Sequence, residues 1–377
     1  MALARGAVDV LPVGALERQL AEQRPLRVKF GVDPTSPDIH LGHCVVLDKL
    51  RAFQNLGHTI VLIIGDYTAR VGDPSGRDAT RPVLDAAQIE WNAETYVEQA
   101  FRVLDRERTE LRRNGEWLAM ESDALFELIR RFTVARLLER DDFSQRMQAA
   151  EPISTLELLY PVLQGYDSVA VHADVELGAT DQTFNLLFAR DVQEAFGQPA
   201  QSILTMPILP GTDGARKMSK SYGNYIGVAE PAEEMFGKLM SIPDESMPTY
   251  YLLLLDEQLD ETRHPAQAKR ELARRLVDRF AGEGAGRRAE ERFDHVHVHR
   301  ELPPEMPSIE LGAGQVHLPA LIAEAFGVSS SEARRLLAQG GVRLEGEPLA
   351  ADPLDRPAVE LAGKVLQVGK RRFCRLV

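Results

Sequence analysis

Residues 27–64 read RVKFGVDPTSPDIHLGHCVVLDKLRAFQNLGHTIVLII. Arg27–Val32 alternates apolar and polar side chains as a strand does. Asp33-Pro34-Thr35-Ser36-Pro37-Asp38 then breaks any regular structure. Over residues 41–56, Val45, Val46, Leu47, Leu50, Phe53 and Leu56 recur at helical spacing, and Gly57 supplies a C-terminal stop. Thr59–Ile64 is dominated by β-branched residues, the signature of a strand buried on both faces. Strand, helix, strand is the crossover that parallel pairing requires, so the stretch predicts an open α/β sheet with a ligand at its carboxyl edge.

The pattern extends outward unevenly. Residues 84–148, rich in Glu, Arg and Leu with few turn residues, read as helix and predict an insertion into the α/β alternation. Sheet signals resume with a strand over 168–173, a helix over 180–196 and a strand over 202–209 that stops at Pro210-Gly211. Pro265 can open a helix through 281, with Leu272, Leu276 and Phe280 on one face. The prolines of 301–307 mark a separation. Beyond them come an apolar helix over 318–326, a Ser329-Ser330-Ser331-Glu332 capping box whose helix ends at Gly340-Gly341, and strand patterns at Val342, Leu344 and 365–377. The expected architecture is α/β: a Rossmann-like parallel-sheet domain over 1–225 with a helical insertion at about 84–150, an α-helical domain over 226–305, a linker over 306–315 and a small α+β domain over 316–377. A chain of 377 residues exceeds the usual span of one core, in keeping with this division.

Composition narrows the function. Hydrophobic residues at 44% and charged residues at 27% sit near globular averages, which argues against disorder and fibrous repeats. The most apolar run, 60–64, cannot span a bilayer, and the amino terminus carries Arg5 and Asp9 without a signal-peptide core. A cytoplasmic location is expected. Cys44 and Cys374 are too few for a disulfide framework or a cysteine-rich zinc site. A formal charge of −13 excludes a diffuse basic coat for nucleic acid, yet residues 363–377 hold Lys364, Lys370, Arg371, Arg372 and Arg375 with no acidic residue. Such a patch can meet phosphates.

Two segments carry chemistry. His40 and His43 stand at a helix start, where free backbone N–H groups gather partial positive charge, a place for phosphate. Taken alone, the pair also fits helix-cap partners or two zinc ligands, although zinc would need a third ligand and Cys44 points elsewhere on the helix. Lys217-Met218-Ser219-Lys220-Ser221 lies far downstream in a polar, glycine-flanked stretch after a strand, so its lysines can close over a triphosphate. The combination of His40-Leu41-Gly42-His43 with this pentapeptide resembles the class I aminoacyl-tRNA synthetases, with Leu41 in place of the commoner Ile.

Further segments are similar to the bacterial tyrosyl-tRNA synthetases over nearly the whole chain: Gly31-Val32-Asp33-Pro34-Thr35, Gly72-Asp73-Pro74-Ser75-Gly76, residues 160–167 and Gly178-Ala179-Thr180-Asp181-Gln182. The closest resemblance is to the branch with a carboxy-terminal S4-like RNA-binding domain, here residues 316–377, and the helical domain would recognise the anticodon. Independently, Tyr160, Gln164 and Asp167 fall at i, i+4 and i+7 on one helix face, so their polar groups converge. The resemblance implies that Tyr160, Gln164 and Asp73 hold the α-ammonium of tyrosine and that Asp167 accepts from its phenol. Thr35, His40 and His43 would contact ATP phosphates, with Lys217, Lys220, Arg77 and Arg81 around pyrophosphate. Asp33, Gly42, Gly178, Asp181 and Gln182 would serve the adenylate and the substrate pocket. Where many members carry a second tyrosine on the first strand, this chain has Lys29. The resemblance further implies L-tyrosine, ATP with Mg2+ as its counter-ion and tRNA(Tyr) as partners, no structural metal, no membrane and a homodimer. A nucleotidylyltransferase would not need the helical and S4-like domains, a decayed RNA-binding protein would not keep both motifs, and a tryptophanyl enzyme is disfavoured by Asp167 with Tyr160 and Gln164.

Overall fold

A computed structural model describes residues 2–75, 85–297, 306–312, 314–369 and 372–377, in two compact units, Met1–Gly286 and Arg287–Val377. Six strands make the sheet of the first unit: β1 (Asp9–Leu11), β2 (Arg27–Val32), β3 (Thr59–Ile64), β4 (Thr109–Arg113), β5 (Val175–Ala179) and β6 (Ser202–Met206). Their spatial order is β1-β6-β5-β2-β3-β4, all parallel except β1, which pairs antiparallel with β6. From β2 the chain builds outward through β3 and β4 on one side and through β5 and β6 on the other. The order therefore reverses between β2 and β5, where an open sheet of this kind leaves a crevice at its carboxyl edge.

The decisive stretch folds as its pattern requires. β2 and β3 have the expected bounds, and the helix between them, α1 (Leu41–Asn55), buries Val45, Val46, Leu47, Leu50 and Phe53. The chain leaves it through Gly57 at φ +89°, a conformation open chiefly to glycine.

Two expectations for the first unit are corrected. The segment 84–150 is not wholly helical: after α2 (Ala86–Ala100) it contributes β4, paired in register with β3 from Ile60↔Thr109 to Ile64↔Arg113. Its sequence, TELRR, lacks an apolar run because β4 is an edge strand whose arginines bond Glu90, Glu110 and Glu116. After α3 (Gly115–Leu118) and further short helices comes α4 (Thr155–Ala170), capped by Ser154 and Glu157. Residues 168–173, expected as a strand, complete this helix instead: Val171 N–H still donates to the Asp167 carbonyl at 3.1 Å, and His172 at φ +49° ends it before β5. The helix expected over 180–196 begins with a short 3-10 turn and runs as α5 (Thr183–Ala195), and the last strand stops at Met206.

Residues 226–286 pack into the same unit as the sheet, as helices α6 (Ala232–Ser241), α7 (Met247–Leu255) and α8 (Pro265–Ala281). Arg279 of α8 pairs with Asp48 of α1, tying these helices to the helix that carries the histidines. In the second unit, helices Leu318–Phe326 and Ser330–Ala338 share one core with a five-stranded sheet, centred on Leu318, Ile322, Ala333, Val342, Leu366 and Leu376. Ser329 caps the second helix by accepting from Glu332 N–H. The described part of the expected linker, 306–312 and 314–315, is partly structured: Ser308–Ile309 joins that sheet beside Arg372–Leu376, because the parallel ladder satisfies its backbone. No described helix is long and apolar enough to cross a membrane.

Candidate active site

A cavity of about 1090 Å³ opens at the carboxyl edge of the sheet. Its lining includes Asp33 after β2, Gly65 and Thr68 after β3, Gly178, Ala179, Asp181 and Gln182 at and just after the end of β5, and the segment Lys217–Ser221 after β6. The topological reversal thus gathers residues from distant parts of the chain. Tyr160, Gln164 and Asp167 all line it, as the helical spacing predicts for one face of α4.

Asp167 is 3% exposed and accepts from the Trp117 indole Nε1 at 2.8 Å and, more loosely, from Asn114 Nδ2 at 3.4 Å. Burial, only partly offset by Lys29 and these donors, pushes its carboxyl up to about 6. Asp33 accepts from Thr68 Oγ1 at 2.6 Å and from the Tyr160 hydroxyl at 3.0 Å. Burial, with repulsion from Asp73 and Asp167, raises it to about 7. Such clustering of perturbed carboxyls in a cavity is a mark of a functional site, and this one favours a cationic ligand group. Gly65 makes the arrangement possible, since a Cβ there would lie 2.0 Å from Asp33 Oδ1. Asp73 accepts from Gln182 Nε2 at 2.8 Å and from the hydroxyl of Ser75 at 2.7 Å. The Oε1 of Gln164 is buried without a partner among the described residues, an acceptor aimed for an N–H donor.

The histidines occupy the other part of the cavity. His43 Nδ1 accepts from the His40 backbone N–H at 3.2 Å, and the two rings stand 3.9 Å apart. Burial pushes His43 down to about 4 and His40 well below its ordinary range, so both imidazoles are neutral at neutral pH. They therefore act as hydrogen-bonding groups rather than cations. A Cβ at Gly42 would sit 3.0 Å from the His40 ring and 3.6 Å from Met218 Cβ, so glycine lets the downstream loop close on the helix start. Cys44 is buried, its thiol pushed up by burial, and takes no part.

The Lys217–Ser221 segment is docked onto the cavity. Lys220 Nζ lies 2.7 Å from Asp38, Lys217 Nζ 3.4 Å from Asp181, and Met218 is buried. Asn224 organises the loop, accepting from Ser219 N–H and donating to the Lys217 carbonyl. Thr35 and Gly178 line the same cavity. Arg77 and Arg81 lie outside the described residues.

Sequence reasoning missed Trp117, Asn114, Thr68, Asp38 and Arg140. Arg140 is buried against Ser75 and Asn185 and lies 3.6 Å from Asp73. No motif announces their roles, which depend on contacts made across 35 to 65 positions and, for Asp38, across 182.

Comparisons agree with this geometry. The family model described as tRNA synthetases class I (W and Y) matches residues 21–297. The Tyrosine--tRNA ligase of Thermotoga maritima is 50% identical over 99% of this chain and 96% of its own length, and that of Moorella thermoacetica 49% over 99% and 94%. Among solved structures, the mitochondrial tyrosyl-tRNA synthetase of Coccidioides posadasii shares the fold at TM-score 0.63 and 21% identity, over 77% of this chain and 89% of that one. The Archaeoglobus fulgidus tyrosyl-tRNA synthetase complexed with L-tyrosine does so at TM-score 0.58 and 24% identity, over 76% and 97%. With its two signature segments facing one cavity and the model spanning the whole first unit from residue 21 onward, the chain belongs to the class I tRNA synthetases of the tryptophan and tyrosine group.

Proposed function

We propose that this chain activates L-tyrosine with ATP, giving tyrosyl-adenylate and pyrophosphate, and then transfers tyrosine to the 3′-terminal adenosine of tRNA(Tyr). The observation that carries the reading is Asp167, a buried carboxylate held by Trp117 and Asn114 beside the orphan acceptor of Gln164. A site built to receive a hydroxyl rejects the ring that lacks one, because the acceptor is then left desolvated and unpaired; tyrosyl-tRNA synthetase is the standard case of this effect.

In the first step an oxygen of the tyrosine carboxylate forms a bond to the α-phosphorus, and the bond from that phosphorus to the bridging oxygen breaks, releasing pyrophosphate. The nucleophile is already ionised, so positioning and charge stabilisation drive the step rather than a side-chain base. Tyr160, Gln164 and Asp73 hold the ammonium. Neutral His40 and His43, with Thr35, donate to phosphate oxygens without moving a proton. Lys217 and Lys220 exchange Asp181 and Asp38 for the leaving pyrophosphate, joined by Arg77 and Arg81. Asp33, Gly42, Gly178, Asp181 and Gln182 surround the adenylate. Mg2+ enters as the counter-ion of ATP. In the second step a ribose hydroxyl of the terminal adenosine attacks the carbonyl carbon, and AMP leaves.

The 226–305 segment serves the anticodon, the 316–377 segment binds RNA, and the working form is a cytoplasmic homodimer, by similarity to the bacterial enzymes. Charging of bulk tRNA with labelled tyrosine tests the whole reading: acid-precipitable tyrosine is expected, and tryptophan charging in its place refutes it.

A further inference from the structure

Lys29 is fully buried at 0% exposure, directly opposite Glu176 in the β2–β5 register, and Glu176 is itself 1% exposed. The Lys29 Nζ lies 2.8 Å from Glu176 Oε1, 2.8 Å from Ser168 Oγ and 3.0 Å from the Gln164 carbonyl. All three donor positions of the ammonium are thereby used. Glu176 also receives the Ser168 hydroxyl at 3.3 Å and the side-chain amides of Gln164 and Gln201.

A buried ion pair is a weak device for stability, since desolvation offsets most of the attraction and an apolar pair would pack as well. Its placement points to another use. The two α4 residues that Lys29 grips, Gln164 and Ser168, flank Asp167 three positions before and one after. Lys29 is also the principal charge that favours the ionised form of Asp167. From the other elements packed around α4, the β5 strand presents Glu176, the loop after β2 presents Asp33, α3 and the turn before it present uncharged Trp117 and Asn114, and α5 presents apolar Phe188 and Val192. Among the groups that shift Asp167 most, Lys29 is the cation.

Resting on the tyrosine reading above, we propose that the Lys29–Glu176 pair is a positioning device for substrate selection, clamping α4 at Gln164 and Ser168 so that Asp167 stands as a fixed acceptor for the phenol. Lys29 touches no substrate; it acts through Asp167.

The test is the double variant Lys29→Met/Glu176→Gln in the full chain, which removes both charges at similar volume. ATP–pyrophosphate exchange is followed with tyrosine and with phenylalanine from pH 5.5 to 9. The expected result is a kcat within about two-fold of the parent, a KM for tyrosine raised about ten-fold at pH 7.5, an acid limb of kcat/KM moved upward because the loss of Lys29 outweighs that of Glu176, and an unchanged phenylalanine rate. A folded double variant with parental selectivity and pH limb overturns the inference. Should the double variant not fold, Ser168→Ala removes one grip beside Asp167 and is expected to lower the tyrosine to phenylalanine selectivity about three-fold; unchanged selectivity there overturns it equally. A parent that activates no tyrosine fails the functional reading first, whereas a tyrosine-selective parent with an equally selective variant overturns this inference alone.

Discussion

Replacing Asp167 by Asn isolates the contact on which the proposed choice of tyrosine depends. The carboxylate accepts from Trp117 at 2.8 Å and from Asn114 at 3.4 Å, leaving lone pairs for a phenol hydroxyl in a site 3% exposed. An amide keeps the shape and can still accept from Trp117, but its NH2 then faces the NH2 of Asn114, and it no longer offers a charged acceptor. A hydrogen bond to a charged group contributes about 1.5–3 kcal/mol, so kcat/KM for tyrosine should fall roughly 10- to 150-fold. Phenylalanine has no hydroxyl to lose, so its rate should stay within about three-fold and selectivity should fall by nearly the full factor. ATP–pyrophosphate exchange with both amino acids, at saturating MgATP, reads the two ratios. Equal losses for tyrosine and phenylalanine would show that Asp167 supports the fold of the cavity rather than the phenol, and no loss would remove it from the site.

Other consequences follow from the same geometry. Lys220→Ala should slow adenylate formation by roughly 10- to 150-fold in single-turnover assays while tyrosine binding stays unchanged, since the loss of about 1.5–3 kcal/mol falls on the transition state; an equal loss of tyrosine affinity contradicts this. Asp38→Asn acts oppositely: the Lys220–Asp38 pair is partly exposed at 20% and 43%, worth at most about 1 kcal/mol, so freeing Lys220 should raise the rate no more than roughly five-fold. Burial raises Asp33 to about 7 and Asp167 to about 6, so the free protein holds extra protons between their ordinary range near 4 and about pH 7. These two groups make stability decline as pH rises through that window, while His43, lowered by burial to about 4, makes it rise from there to about 6.5, and His40, also depressed by burial, acts in the same direction. Tyrosine binding separates the two effects: its ammonium and phenol favour ionised carboxylates, so calorimetry near pH 6.5 in buffers of different ionisation enthalpy should show proton release, and uptake would be the wrong sign. Deleting residues 312–377 should spare pyrophosphate exchange and reduce tRNA charging, and unchanged charging would deny that segment its RNA role.

The sequence exposed those parts of the molecule in which local pattern and tertiary setting agree. β2, α1 and β3 follow from periodicity because most of their apolar positions, Val28 and Phe30, Val45 to Leu47, Leu50 and Phe53, and Ile60 to Ile64, are also buried ones. Tyr160, Gln164 and Asp167 could be placed together because a single helix fixes their spacing. Residues 168–173 misled because SVAVHA alternates and carries β-branched valines, yet the packing of Val169 and Val171 against buried neighbours, with the hydrogen bond from Val171 to Asp167, overrides that preference. β4 was hidden for the opposite reason: an edge strand built on half-buried Glu110, Arg112 and Arg113, with Leu111 exposed, has the composition of a surface helix. Trp117, Asn114 and Lys29 reach Asp167 or its helix only through the folded sheet; nothing in their immediate sequence marks the first two, and Lys29 stands out only as a departure from the family's tyrosine.

The central claim is that the cavity activates tyrosine and chooses it by its phenol. ATP–pyrophosphate exchange, measured with each of the twenty amino acids separately, tests it most directly. Exchange with tyrosine far above every other amino acid is the predicted result, and exchange with tryptophan only, or with none, would contradict it.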